Sequence, residues 1–295
     1  MIWKEELKQH TLEAEEIVKK YLPEEEGHQR YLIESSNYSV MVGGKRIRPI
    51  IMLESFRAFG GNDASVEPFM AALEMIHSSS LVHDDLPCMD NDEYRRGKLT
   101  TWKKYGYDMA VLAGDDLLVY AFETAAKAFA LSDHPERVGR AIGVLANKAG
   151  IYGMIGGQSV DVQYTDQPVT LEQLEFIYRL KTGALLEAAM MIGAILAGAD
   201  EEQIRSAEAI AADVGMAFQI RDDILDVVST TEQLGKPVGS DEKNNKTTYV
   251  TLFGIDQAAE MVASYSARAI EQLQISCPDA GFLRRLFEYM IQREK

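Results

Sequence analysis

The chain has 295 residues, 46% of them apolar, enough to bury a substantial core in one large domain or two modest ones. Its 46 acidic side chains against 30 basic ones leave a formal net charge of -16, which argues against nonspecific nucleic-acid binding, since that needs a basic face to displace counterions. An anionic small molecule is not excluded, because a local basic cluster can act within an acidic whole.

Cys88 and Cys277 make no disulfide framework and are expected as reduced thiols in a cytoplasmic protein. The N-terminus, MIWKEELKQH, is charged and amphipathic, unlike a secretory leader. The longest uncharged apolar stretch, Ala188 to Ala199, is broken by glycines and too short to span a bilayer. No membrane span is expected.

Helical periodicity runs almost throughout. Helices are expected over 3–20, 46–59, 66–84, 109–130 and 136–149, the last with Pro135 as a first-turn proline behind Ser132 and Asp133. Thr170-Leu-Glu-Gln173 is a capping-box start, followed by apolar positions (Leu171, Leu174, Ile177, Tyr178, Leu185, Leu186) three and four apart. Asp200-Glu-Glu-Gln203 opens another helix, running to about Val228, and two more follow over 256–274 and 280–293. No run alternates with the period of a strand. The longest irregular segment, Thr230 to Asn245, has the composition of a functional loop or lid. One all-α domain over 1–295 is the economical reading.

Charge is gathered in a few places. MVGGKRIRP sets Lys45, Arg46 and Arg48 after a Gly-Gly break where a helix would begin, a position that favours anions. LVHDDLPCMDNDEYRRGK then brings Asp84, Asp85 and Asp90 together, with Arg95 and Arg96 directly behind them. Pro87 disfavours helix at Leu86, so the helix should end near Asp85 and the chain can loop Asp90 back toward Asp84. His77, seven residues before Asp84, shares its helix face and is a potential anion ligand. FQIRDDILD places Asp222 and Asp226 on one face with Gln219, and Asp223 beside them. Like charges at that spacing destabilise a helix unless something neutralises them, as a divalent cation does. A solvated loop and an exposed polar stripe remain the plain alternatives for each cluster alone. Lys181, Lys236 and Lys246 are scattered through the second half. Together, the carboxylates suit metals, and metals and cations suit a diphosphate.

The motifs GGKRIRP, HSSSLVHDDLPCMDND, RRGK, GGQSVD, KTG, FQIRDDILD, GKPVGSD and KTTYV occur in an order that resembles the trans-polyprenyl diphosphate synthases, in particular the short-chain farnesyl and geranylgeranyl diphosphate synthases. The resemblance covers most of the chain. It implies an isoprenoid-synthase-type bundle of helices around a deep central cavity, assembled as a homodimer. It implies that Asp84, Asp85 and Asp90, and across the cavity Asp222, Asp223 and Asp226, bind three Mg²⁺ through an allylic diphosphate. Lys45, Arg48, His77 and Arg96 would hold isopentenyl diphosphate, and Arg95, Lys181, Lys236 and Lys246 would surround the allylic diphosphate. Thr182 and Gln219 would line the reacting centre, supported by Gln158 and Asp161. The departing pyrophosphate, rather than a protein base, would remove the proton, with the 230–245 loop closing over the site. Ser80 and Ser79, fourth and fifth before the first aspartate pair, take the positions that floor the product pocket. Small side chains there permit either a farnesyl (C15) or a geranylgeranyl (C20) product.

A class I terpene cyclase fits less well, because DDILD is not its second metal motif and GGKRIRP serves a second diphosphate. A head-to-head condensing enzyme would space its aspartates differently. A non-catalytic subunit of a heteromeric synthase would have lost an acidic motif. A metal-buffering helical protein leaves the ordered basic motifs unexplained.

Overall fold

The computed structural model describes residues 2–228 and 247–292, so Lys236, Lys246 and the 230–245 segment lie outside the described residues. The chain gathers into two compact units, residues 1–53 with 62–142 and residues 54–61 with 143–295.

The first unit begins with α1 (Ile2–Lys20), whose Ala14 and Val18 are fully buried. Lys20 and Tyr21 close it onto Glu67, at 2.7 and 3.2 Å. Helix α2 (Arg30–Met41) has no counterpart in the sequence reading, because its buried face is Ser35, Ser36, Asn37, Ser39 and Val40. Its polar residues are satisfied across helices, Ser36 by Asp116 at 2.7 Å and Ser39 by Thr101 at 2.7 Å, so no apolar stripe is needed. Helix α3 (Ile47–Ala58) follows the Gly-Gly break, and α4 (Val66–Asp84) is buried on nearly every side.

After α4 the chain forms a two-residue hairpin, β1 (Tyr94–Arg95) and β2 (Lys98–Leu99), where no strand was expected. It is too short to leave a period-two pattern. Its central residues, Arg96 and Gly97, have φ of +53° and +74°, as a two-residue turn matched to strand twist requires. Helix α5 (Thr101–Tyr105) leads into α6 (Tyr107–Ala126), which packs against α4 and buries Ala110, Ala113, Gly114, Leu117 and Ala121. Any side chain at Gly114 would overlap the His83 ring. A short 3₁₀ turn, Lys127–Ala130, completes the expected 109–130 helix, and α7 (Pro135–Ala149) starts at its proline as expected.

In the second unit, α8 (Met154–Gln163) is followed by α9 (Leu171–Ile177), where the Thr170–Gln173 capping box is formed. A π-helical turn, Tyr178–Gly183, carries the chain without a break into α10 (Ala184–Ala197). The continuous helix Leu171–Ala197 is therefore 27 residues, long and apolar enough to cross a membrane by length and composition, although it carries charged residues before the uncharged stretch that begins at Ala188. Seventy-eight per cent of its apolar window is buried in the protein, so its apolarity is that of a core helix. Helix α11 (Glu201–Val228) packs against α10 and the π-turn, joined by α12 (Tyr249–Phe253), α13 (Ile255–Ser276) and α14 (Gly281–Gln292). Ala217, Ile220 and Ile224 of α11 meet Tyr178, Tyr249, Val262 and Ile291 in this core. Buried Lys148 is paired with Glu187, and with Glu208 at 2.6 Å.

Glycine sets the approach of neighbouring backbones to the π-turn. A Cβ on Gly157 of α8 would overlap the backbone nitrogen of Lys181, and one on Gly215 of α11 would stand 3.0 Å from Gly183 Cα. Gly157→Ala is therefore expected to force α8 away from the π-turn at a cost of about 2 kcal/mol, seen as a fall of about 5 °C in Tm. An unchanged Tm would show that α8 can shift freely.

Candidate functional site

In the first unit four basic side chains converge on one turn. Gly43 and Gly44, with φ of +114° and +141°, let the chain pass close beneath the hairpin. The Arg96 guanidinium donates to the Gly43 carbonyl, and its Nη1 stands 2.6 Å from where a Gly44 Cβ would lie. Lys45 is exposed, whereas Arg46 is buried and paired with Glu74 of α4 at 2.7 Å. Arg48 is half-buried, with Nη1 3.3 Å from His77 Nε2, and its buried Nε has no hydrogen-bond partner among the described residues.

Electrostatics report the crowding. Burial, together with Arg48, Arg96, Arg95 and Arg46, holds His77 well below its usual 6.5, so it is neutral near pH 7. Burial and neighbouring arginines also lower Arg48 and Arg96 from their usual range, while Glu74 pulls both upward. An orphan donor among desolvated cations is chemically an anion site.

The first acidic motif is built as its spacing predicted. Helix α4 ends at Asp84, and the Asp90 amide donates to the Asp84 carbonyl at 2.9 Å, bringing the two residues to one side of a tight loop. Asp85 differs from both. It is buried, and Arg95 grips both its oxygens, Nε at 2.8 and 3.0 Å and Nη2 at 2.6 Å. Its pKa is raised, chiefly by burial and further by Asp92 and Asp90, against the opposing pull of Arg95. Asp84 is half-buried and Asp90 exposed.

The second unit holds the other groups. Asp222 and Gln219 are half-buried, and Asp223 and Asp226 are buried. The Asp223 carboxylate accepts from Tyr178 Oη at 2.8 Å on each oxygen and from the Tyr249 amide at 3.0 Å. It thereby ties α11 to the start of the π-turn and to α12. The π-turn in turn presents Lys181, paired with Asp161 at 2.6 Å, and Thr182, which donates to Gln219 Oε1 at 2.9 Å. Turns of this kind recur where a helix is distorted for function. Gln158 lies on α8 and is half-buried.

Sequence reading missed Tyr178, which counts as an apolar helix position, Tyr249, which figures only within the KTTYV motif, and Glu74, a lone acid in an apolar helix. The last was the one visible signal, since a charge at such a position must be paired. Ser79 and Ser80 turn their hydroxyls back onto their own helix, to Ile76 O and His77 O at 2.8 Å each.

Among the described residues no three His, Cys, Asp or Glu side chains gather as a closed metal cage. Mg²⁺ needs few protein carboxylates, because it completes its octahedron with phosphates and water. All the acidic motif residues are hard oxygen donors. Asp85 and Asp223, however, already spend their oxygens on Arg95, Tyr178 and Tyr249.

Residues 29–275 match the family described as polyprenyl synthetase. The chain is similar to the farnesyl diphosphate synthase of Geobacillus stearothermophilus, 42% identical over 281 residues, covering 95% of this chain and 94% of that one. It is 45% identical over 263 residues to a chloroplastic geranylgeranyl pyrophosphate synthase of Catharanthus roseus, covering 88% of this chain and 73% of the other. A solved structure of an FPP/GFPP synthase from Zymomonas mobilis superposes with a TM-score of 0.86 at 31% identity, covering 98% of both chains.

His77 generates a pH prediction. The folded chain keeps it neutral, whereas the unfolded chain takes up a proton near the usual 6.5. Its contribution to stability is therefore present above that value and is lost as pH falls below it. Urea midpoints at about pH 7.5 and about pH 5 should show a smaller acid loss for His77→Gln than for the wild type. Equal losses would mean His77 is not held neutral.

Proposed function

The chain belongs to the polyprenyl synthetase family, and on that premise we propose that it is a short-chain trans-prenyltransferase. It joins isopentenyl diphosphate to an allylic diphosphate (dimethylallyl, geranyl or farnesyl) and yields farnesyl (C15) or geranylgeranyl (C20) diphosphate. The carrying observation is the cluster of Arg48, neutral His77 and Arg96, with an Arg48 Nε that has no partner among the described residues, on the same helix-and-turn assembly as Asp84 and Asp90. It supplies an anion site beside a carboxylate pair, as the binding of a diphosphate next to a metal-dependent leaving group requires.

In this reading Lys45, Arg48, His77 and Arg96 bind isopentenyl diphosphate, with arginine forking onto phosphate oxygens and lysine acting as a point charge. Asp84, Asp90 and Asp222 are the carboxylates that would hold Mg²⁺, which supplies positive charge to the leaving diphosphate when bound. Asp85 holds Arg95 and Asp223 holds the π-turn, so we assign these two to positioning, and buried Asp226 with them. Arg95 and Lys181 stabilise negative charge as the allylic C–O bond breaks. Lys236 and Lys246 belong to the same group by resemblance. The Thr182 hydroxyl donates a hydrogen bond to Gln219 Oε1, which leaves the lone pairs of the Thr182 oxygen to face the allylic cation. The isopentenyl double bond attacks that cation, and the new cation loses a proton to the released diphosphate. We read residues 1–295 as a single polyprenyl synthase domain.

We further assign the protein to the cytoplasm, as a homodimer, consistent with an exposed Cys88, a buried Cys277 and the exposed apolar side chains Leu112 and Val119 on α6. A terpene cyclase has no use for a second diphosphate site, and a non-catalytic subunit has no need of two complete acidic motifs.

Purified protein with Mg²⁺, isopentenyl diphosphate and each allylic primer should yield C15 or C20 alcohols after dephosphorylation, sized by mass. Absence of product with every primer would overturn the reading. Asp84→Ala and Asp222→Ala should each lower kcat by at least about a thousandfold without a change in helical circular dichroism. Wild-type rates in both would remove the two carboxylates from the reaction.

A further inference from the structure

Beneath the cation cluster lies a carboxylate that the reaction itself does not use. Glu74 sits in the middle of α4, its side chain 4% exposed, and accepts from Arg46 Nη1 at 2.7 Å. Arg46 is equally enclosed, its side chain 1% exposed, with its Nη2 3.5 Å from Glu15 of α1. Its backbone has φ of +51°, a left-handed conformation that disfavours a residue with a side chain. The residue on one side of it is Lys45, and Arg48 lies two positions beyond. His77 is three residues after Glu74, on the same face of α4.

We propose that Glu74, acting through Arg46, is a positioning residue for the diphosphate of isopentenyl diphosphate. The buried pair fixes the turn between Gly44 and Ile47 against α4, so that Lys45 and Arg48 are presented to the same place as His77. The proposal rests on the assignment of that substrate to this cluster. Its physical basis is the cost of separation. A guanidinium buried without its carboxylate is strongly destabilised, and a left-handed arginine can be rehydrated only if the turn opens. Opening the turn moves Lys45 and Arg48. Glu74 also lies close enough to raise the proton affinity of Arg48 and Arg96, so its charge is felt by the whole cluster.

Charge and geometry make opposite predictions for its removal. By charge alone, Glu74→Gln takes a negative group away from an anion site and should tighten diphosphate binding. By loss of position, it should weaken it. Kinetics of the full-length protein with geranyl diphosphate and isopentenyl diphosphate separate the two. Glu74→Gln is expected to raise KM for isopentenyl diphosphate about tenfold, while KM for geranyl diphosphate stays within about twofold. Calorimetric titration of isopentenyl diphosphate should show the same loss in Kd. An unchanged or lower KM for isopentenyl diphosphate overturns the proposal, as does a parallel rise for both substrates that tracks a lower Tm. Should Glu74→Gln not fold, Arg46→Lys keeps the charge, loses the forked donor and must show the same selective rise. A wild-type protein that does not consume isopentenyl diphosphate would fail the function rather than the pair. The same variants would then be titrated with inorganic pyrophosphate, where weaker binding than wild type supports the positioning role and equal binding overturns it.

Discussion

A charge enclosed by apolar helices must be paired, and the pairs formed here hold the functional residues where they are. Arg46 on Glu74 and Lys148 on Glu187 are enclosed and join residues 28 and 39 apart in sequence, while Arg95 on Asp85 and the half-buried Lys181 on Asp161 join residues 10 and 20 apart. Buried ion pairs are weak sources of net stability, because desolvation offsets most of the attraction, but breaking one is expensive. Their effect is to penalise every arrangement in which the partners are apart. Near a site that must collect several like charges, that penalty is a means of keeping cations and carboxylates in fixed places.

The second constraint is backbone approach. The π-turn from Tyr178 to Gly183 carries Lys181 and Thr182, and it is enclosed by Gly157 on one side and Gly215 on another. Glycine permits this contact, and the Asp223 carboxylate holds the start of the turn through Tyr178. The distortion brings Thr182 within reach of Gln219 on the neighbouring helix. Packing of small residues, a buried hydrogen-bonded carboxylate and a local change of helical pitch thus act on the same pair of side chains.

Carboxylates within one motif therefore divide their work. Sequence places Asp84 and Asp85 side by side, yet one lies half-buried at the helix end while the other is enclosed by an arginine. Asp222 and Asp223 divide in the same way, since adjacent residues on a helix point about 100° apart. A doubled aspartate can thus offer one carboxylate to a ligand and use the next to set the surrounding geometry.

Much of this was legible in the sequence. Periodicity, the Thr170–Gln173 capping box and Pro135 determined most helices and several of their ends, because those signals are local. Pro87 and the aspartate spacing determined that Asp90 returns to Asp84, again by local geometry. The ordered charged motifs, with the family resemblance they carry, determined the class of chemistry. Tertiary structure decided what depends on partners remote in sequence. It made α2 a buried helix by satisfying its serines from other helices, turned Tyr94–Leu99 into a hairpin, gave Arg46 to Glu74, and selected Tyr178 and Tyr249 for Asp223. A side chain's role is set by which groups remove it from water, and those groups are chosen by packing rather than by neighbours along the chain.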